Sequence, residues 1–178
     1  MSEDLLIENK VANSGLVTLN LEDYYEPAEK LVLDIKPWLF RELILKEKDY
    51  REFVKAHDWS QYAGKIVAFT CSSDAIIPVW AYMLLGVSVQ PFAKRYFFAS
   101  LPEVETILFQ EALQKVDYSA FKDVRVIIKG CGQISIPVSA YVEITAKLQP
   151  FAKSIMYGEA CSNVPVFKKA VASVKEGR

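Results

Sequence analysis

Shifted by 59 positions, this chain lies over itself without a gap. The window 58–100 falls on the window 117–159. Asp58-Trp59-Ser60 meets Asp117-Tyr118-Ser119, Ile77-Pro78-Val79 meets Ile136-Pro137-Val138, and Ala81-Tyr82 meets Ala140-Tyr141. Gln90-Pro91-Phe92-Ala93-Lys94 recurs unchanged as Gln149-Pro150-Phe151-Ala152-Lys153, a run of identities that composition alone does not produce. Two copies are too few for a solenoid, which needs three or more. A single domain over residues 1–178, made of two related halves, is expected.

Each copy reads as the same series of elements. Residues 65–70 (KIVAFT) and 124–129 (VRVIIK) are short apolar runs rich in β-branched residues, the pattern of buried parallel strands. Helical segments follow at about 76–87 and 135–148, with Pro78 and Pro137 in their first turns, where a missing N–H costs least. Ser73 or Asp74, and Ser135, are the expected N-caps. Second strands are predicted over 94–99 and 153–158, and a helix over 101–116 links the copies. Residues 47–56 predict a further helix, and 16–19 and 31–35 predict short strands added antiparallel at one edge. The expected fold is therefore α/β. It has a mainly parallel sheet of about four core strands from two βαβ units, helices on both faces and edge strands from the N-terminal extension. Residues from Ser173 onward are expected to fray.

Composition narrows the function classes. Hydrophobic residues make up 52%, enough for a sizeable core, and the net charge of −1 lacks the basic excess of a nucleic-acid binder. Met1-Ser2-Glu3-Asp4 has neither the basic nor the apolar stretch of a signal peptide. No apolar run approaches the ~18 residues that span a membrane. A cytoplasmic location is expected, with neither membrane nor nucleic acid as partner. In that reducing setting the three cysteines favour free thiols or metal ligands over a disulfide framework.

The cysteines are placed by topology. Cys71 follows the first core strand, Cys131 the third and Cys161 the fourth, all at the carboxyl edge where open α/β sheets bind ligands. Three thiolates there would suit zinc or an iron–sulfur cluster, with Asp74 or Glu159 as a further ligand. A helix N-terminus would favour the thiolate, which also fits a persulfide carrier. Against this stand the absence of a CxxC pair and the ease with which cysteine serves as a small buried apolar residue. The gapless alignment lays Cys71 over Gly130, not over Cys131.

His57, the single histidine, is read as a helix C-terminal residue suited to the dipole. Asp58 and Asp117 read as turn or capping residues, and Tyr82 and Tyr141 as mid-helix residues packed on the sheet with hydroxyls outward. Gly130-Cys131-Gly132 could cradle an anion, although GxGxxG and GxxxxGK[ST] are both missing. Lys94 and Lys153 could bind a phosphate, the alternative being strand-end lysines that snorkel. Pro37-Trp38-Leu39-Phe40 is core by default and a dimer patch otherwise, which would make the chain a homodimer.

Several stretches together resemble a bacterial family known as domain of unknown function 2480. They are Val11-Ala12-Asn13-Ser14-Gly15-Leu16, residues 43–51 (LILKEKDYR), His57-Asp58-Trp59-Ser60, Cys71-Ser72-Ser73-Asp74-Ala75-Ile76 and Ile128-Lys129-Gly130-Cys131. The resemblance runs over nearly the whole chain. It implies association with sulfur-mobilisation genes, hence an accessory role in iron–sulfur cluster assembly with assembly proteins as partners. It transfers no catalytic residues. Three expectations follow: a non-catalytic accessory factor with a three-cysteine site, a sulfurtransferase-like thiol enzyme, or a binding and scaffold module with structural cysteines.

Overall fold

The structure is a computed structural model that describes residues 15–130 and 132–170. Along the chain run β1 (Leu16–Asn20), β2 (Lys30–Asp34), α1 (Glu47–Ala56), β3 (Ile66–Thr70), α2 (Val79–Val89), β4 (Arg95–Phe98) and α3 (Leu101–Gln114). Then come β5 (Arg125–Lys129), α4 (Val138–Leu148), β6 (Ser154–Glu159) and β7 (Ser162–Lys168). The fold is α/β, and its strand pairing is parallel except between β6 and β7.

The core strands divide between two sheets instead of lining up in one. One sheet has the order β2-β3-β4 and the other β1-β5-β6-β7. The chain divides accordingly into two compact units. A nested unit spans Glu26–Ile107, and a split unit joins Met1–Tyr25 to Leu108–Arg178. The cause lies in the two N-terminal strands. They add edge strands as expected, but parallel and to different sheets: Leu16 pairs with Arg125, and Lys30 with Ile66. Each unit thereby gains a first strand of its own.

Central strands β3 and β5 are apolar and buried at their centres, with Arg125 and Lys129 only at the ends of β5. Ile66, Val67 and Ala68 are fully buried, as are Val126 and Ile127. The helices that follow bury the same three positions: Ala81, Leu85 and Val89 in α2, and Ala140, Ile144 and Leu148 in α4. The i, i+4, i+8 spacing lays these residues along one stripe against the strands. Helix α1 buries Tyr50 and Val54 and turns the Glu47–Arg51 pair to solvent.

Both helices start later than their sequence suggests. Pro78 and Pro137 are N-caps in extended backbone, not first-turn residues. A proline disfavours the helical region for the residue before it, and Ile77 and Ile136 lie outside the helices. Neither Ser73, Asp74 nor Ser135 caps. The proline carbonyls accept instead from Ala81 and Ala140, both at 2.9 Å.

The turns before β3 and β5 match in detail. Asp58 accepts from the Ser60 N–H at 3.0 Å, and Asp117 from the Ser119 N–H at 3.0 Å, so both aspartates cap 3-10 turns. Trp59 Nε1 donates to the Val54 carbonyl, and Tyr118 OH to the Leu113 carbonyl. Gly64 has φ +70° and Asp123 φ +59°, a left-handed position that glycine and aspartate both tolerate.

Strand β7 has no counterpart in the nested unit. Gly158, at φ +121°, lets the chain turn closely past Ser162 into it. It carries Pro165 and a register irregularity beside Ile155 and Met156. The proline is what obscures this strand in the sequence. No helix among the described residues is long and apolar enough to cross a membrane.

Candidate functional site

Each unit carries an apolar groove, and the two grooves are built from equivalent residues. In the nested unit Phe69, Ile77, Val79, Tyr82, Met83 and the β4 aromatics line a groove of about 540 Å³. In the split unit Ile128, Val138, Tyr141, Val142 and Tyr157 line one of about 630 Å³, with Val164 and Val166 of β7 as an extra wall. Val79 and Val138 are both 75% exposed, and Met83 and Val142 both 66%. Helix α2 is thus apolar on its solvent face as well as its buried one, which is unusual for a helix with one side in water. That signal is present in the sequence: Val79, Met83 and Val87 recur at helical spacing opposite Ala81, Leu85 and Val89.

Aromatic packing fixes each groove's floor. Tyr82 lies against Phe98 at 4.5 Å between centroids, and Phe69 stacks on Tyr96 at 5.8 Å. A Cβ on Gly86 would stand 3.2 Å from Tyr96, so the glycine lets that ring approach the helix. In the split unit Tyr141 meets Tyr157 edge-on at 5.7 Å. Its hydroxyl does not point outward as expected; it donates to the Gly130 carbonyl at 2.8 Å. A side chain at position 130 would collide with that hydroxyl.

The equivalent of Gly130 in the nested unit is Cys71. Where the split unit has a glycine under a tyrosine hydroxyl, the nested unit has a thiol near the Tyr82 phenol. Cys71 is half-buried beside the nested core, and its Sγ lies 3.8 Å from the Ser73 carbonyl. Burial, the neighbouring Cys71 and Asp34 all push the Tyr82 phenol up. Burial, with Tyr82 and Cys71 nearby, raises the Tyr50 phenol further. Tyr50 is fully buried and donates to the Ala81 carbonyl at 3.1 Å. Beside this cluster Asp34 accepts from the N–H groups of Lys36 (2.9 Å) and Ser72 (3.1 Å). Burial opposes its charge, but the hydrogen bonds from Ser72 and Lys36 outweigh burial and hold the carboxyl below its ordinary range.

The remaining ligand candidates are spread along the chain. Asp74 is exposed in the loop before α2. Cys161 is exposed in the turn between β6 and β7. Glu159 ends β6 and pairs with Lys129 at 2.8 Å. Cys131 lies outside the described residues. So do the Val11-Ala12-Asn13-Ser14 stretch, the acidic residues 1–4 and the segment from Ser173. Among the described residues no three His, Cys, Asp or Glu side chains converge as a metal site. At Gly132 the space beside the backbone is taken by the Glu22 carboxylate, which also accepts from the Ile134 N–H at 3.4 Å. The chain itself supplies an anion to that loop.

His57 closes α1 as its C-cap, its N–H donating to the Phe53 carbonyl. It packs between Trp38 and Trp59, at 5.0 and 4.8 Å, with Nε2 2.9 Å from Tyr62 OH. Burial lowers its pKa more than Asp58 raises it. Trp38 joins this packing and Leu39 is buried, while Phe40 is exposed under Lys46. Lys94 pairs with Glu26 at 2.8 Å, and Lys153 is exposed.

No curated protein and no solved structure matches the chain. The model of a family described as Protein of unknown function (DUF2480) matches residues 6–169. That span takes in both units and both grooves, and the chain belongs to this family.

Proposed function

We propose that this protein is a non-catalytic binding module whose grooves receive apolar side chains of a partner polypeptide. One observation carries the reading: equivalent, equally exposed valines and Met83/Val142 stand over equivalent tyrosines in both units. Contiguous apolar surface of this kind marks interaction sites in soluble domains. The lining of both grooves is uncharged, which suits desolvated apolar contact. Cys71 then serves as packing between β3 and α2. Iron–sulfur assembly proteins, which the family resemblance brings in, are the first partners to try. The hydrophobic fluorophore anilinonaphthalene sulfonate is the first probe. Native protein enhances its fluorescence, and Met83→Lys combined with Val142→Lys removes the enhancement without loss of helical circular dichroism. A natively folded protein that leaves the dye dark overturns the reading.

A second reading gives the thiols the function, as ligands for metal or as sulfur carriers. Its support is positional: Cys71 is the first residue past β3, and Cys161 lies two residues past Glu159 at the end of β6. Asp74 and Glu159 would assist in their own units, and zinc or an iron–sulfur cluster would be the cargo. Metal analysis of protein purified without oxygen, set against Cys→Ser variants, tests it. A metal content unchanged by all three substitutions removes it.

A further inference from the structure

We infer that β4 pairs edge to edge with the β4 of a second copy of this chain, antiparallel across a two-fold axis. Strand β4 ends its sheet, whereas its equivalent β6 is followed in the other sheet by antiparallel β7. The split unit thus shows what covers this edge: an antiparallel strand with apolar residues facing the groove. A two-fold axis brings identical strands together antiparallel, so a second copy supplies that strand without any new sequence.

The two edges are also protected differently. Edge strands that must stay unpaired carry proline, charge or a bulge. Strand β7 carries Pro165 and a register irregularity. Strand β4 is Arg-Tyr-Phe-Phe, with no proline and no bulge, and its one charged residue, Arg95, stands at its first position. Phe98 is 68% exposed, and Val79 and Met83 of α2 continue the apolar surface beside it. Because β4 is short, this flank contributes more to the contact than the few backbone hydrogen bonds.

Charge selects the antiparallel arrangement. Arg95 begins β4, and Lys94, which pairs with Glu26 at 2.8 Å, precedes it. At its other end the Glu103 carboxylate accepts from the Ser100 N–H at 2.7 Å. Antiparallel pairing sets the basic end of one copy beside the acidic end of the other, and parallel pairing would set like charges together.

Sedimentation of the full chain tests the pairing. The wild type is expected as a dimer, Phe98→Lys as a folded monomer, and Val17→Lys on the edge strand β1 as a dimer. Met83→Glu, on the solvent face of α2, repeats the test should Phe98→Lys fail to fold. Amide exchange at Tyr96–Phe98 is expected to slow as the wild-type concentration rises and to stay fast in the variant. A wild type that remains monomeric at about 100 μM, or a dimer that survives both Phe98→Lys and Met83→Glu, overturns the inference.

Discussion

The nested and split units solve one packing problem with the same residues at the same spacing, and differ where the chain must do something local. Ala81, Leu85 and Val89 correspond to Ala140, Ile144 and Leu148; the capped turns, the proline N-caps and the grooves correspond as well. The differences are few. Cys71 stands against Gly130, His57 against Val116, and an open edge against β7. Shared features are those on which closing a three-stranded parallel unit depends. The differing ones mark where each unit has its own chemistry.

The largest effect should come from the shared core. Leu85→Ala and Ile144→Ala empty equivalent, fully buried positions and should each cost about 2–5 kcal/mol. Amide exchange during denaturation should place each loss mainly in its own unit; losses spread equally over both would break the comparison. Next comes the exchange at the strand end. Gly130→Ala forces a methyl against the Tyr141 hydroxyl and should cost ~1–3 kcal/mol by denaturant melting. Cys71→Ala leaves only a small void, about 1 kcal/mol. An equal cost at both sites would mean that Cys71 does more than fill space.

Acid should weaken the nested unit first. His57 has a depressed pKa, so the unfolded chain binds its proton more readily, and stability is lost as pH falls below the ordinary histidine value. Asp34 is also depressed, and its contribution is lost at lower pH still, as its folded carboxyl protonates. The equivalents of these groups in the split unit, Val116 and Asn20, do not titrate. A pH series of exchange-resolved melts checks this, and His57→Phe should flatten the first step. Smallest are the caps. Asp58→Ala and Asp117→Ala should bring modest, matching losses, read as equal shifts in melting temperature.

Much of this was legible in the sequence because local pattern determined it. The boundaries of α1 and the start of α3 fall where periodicity puts them, and buried β3 and β5 announce themselves by short apolar, β-branched runs. Partner choice was not legible. The strand at Leu16 carries no local mark naming Arg125 as its neighbour, so two sheets looked like one. Strand β7 was hidden by Pro165, acceptable only on an edge. The grooves were written in Val79, Met83 and Val87, but an all-apolar helix reads equally well as buried. A thiol suggests chemistry by itself, whereas the role of Gly130 shows only once Tyr141 reaches its carbonyl.

The insertion of one unit between the first strand of the other and the rest of it has a consequence in time. As the chain emerges from a ribosome, β1 comes first, yet its partner β5 is made only after the whole nested unit. Residues Glu26–Ile107 can condense on local contacts while Leu16–Asn20 waits unpaired. Synthesis order therefore makes the nested unit the early folder and the split unit the slow one. The interval between them is when this protein is most open to capture by a chaperone or to mispairing with a neighbour.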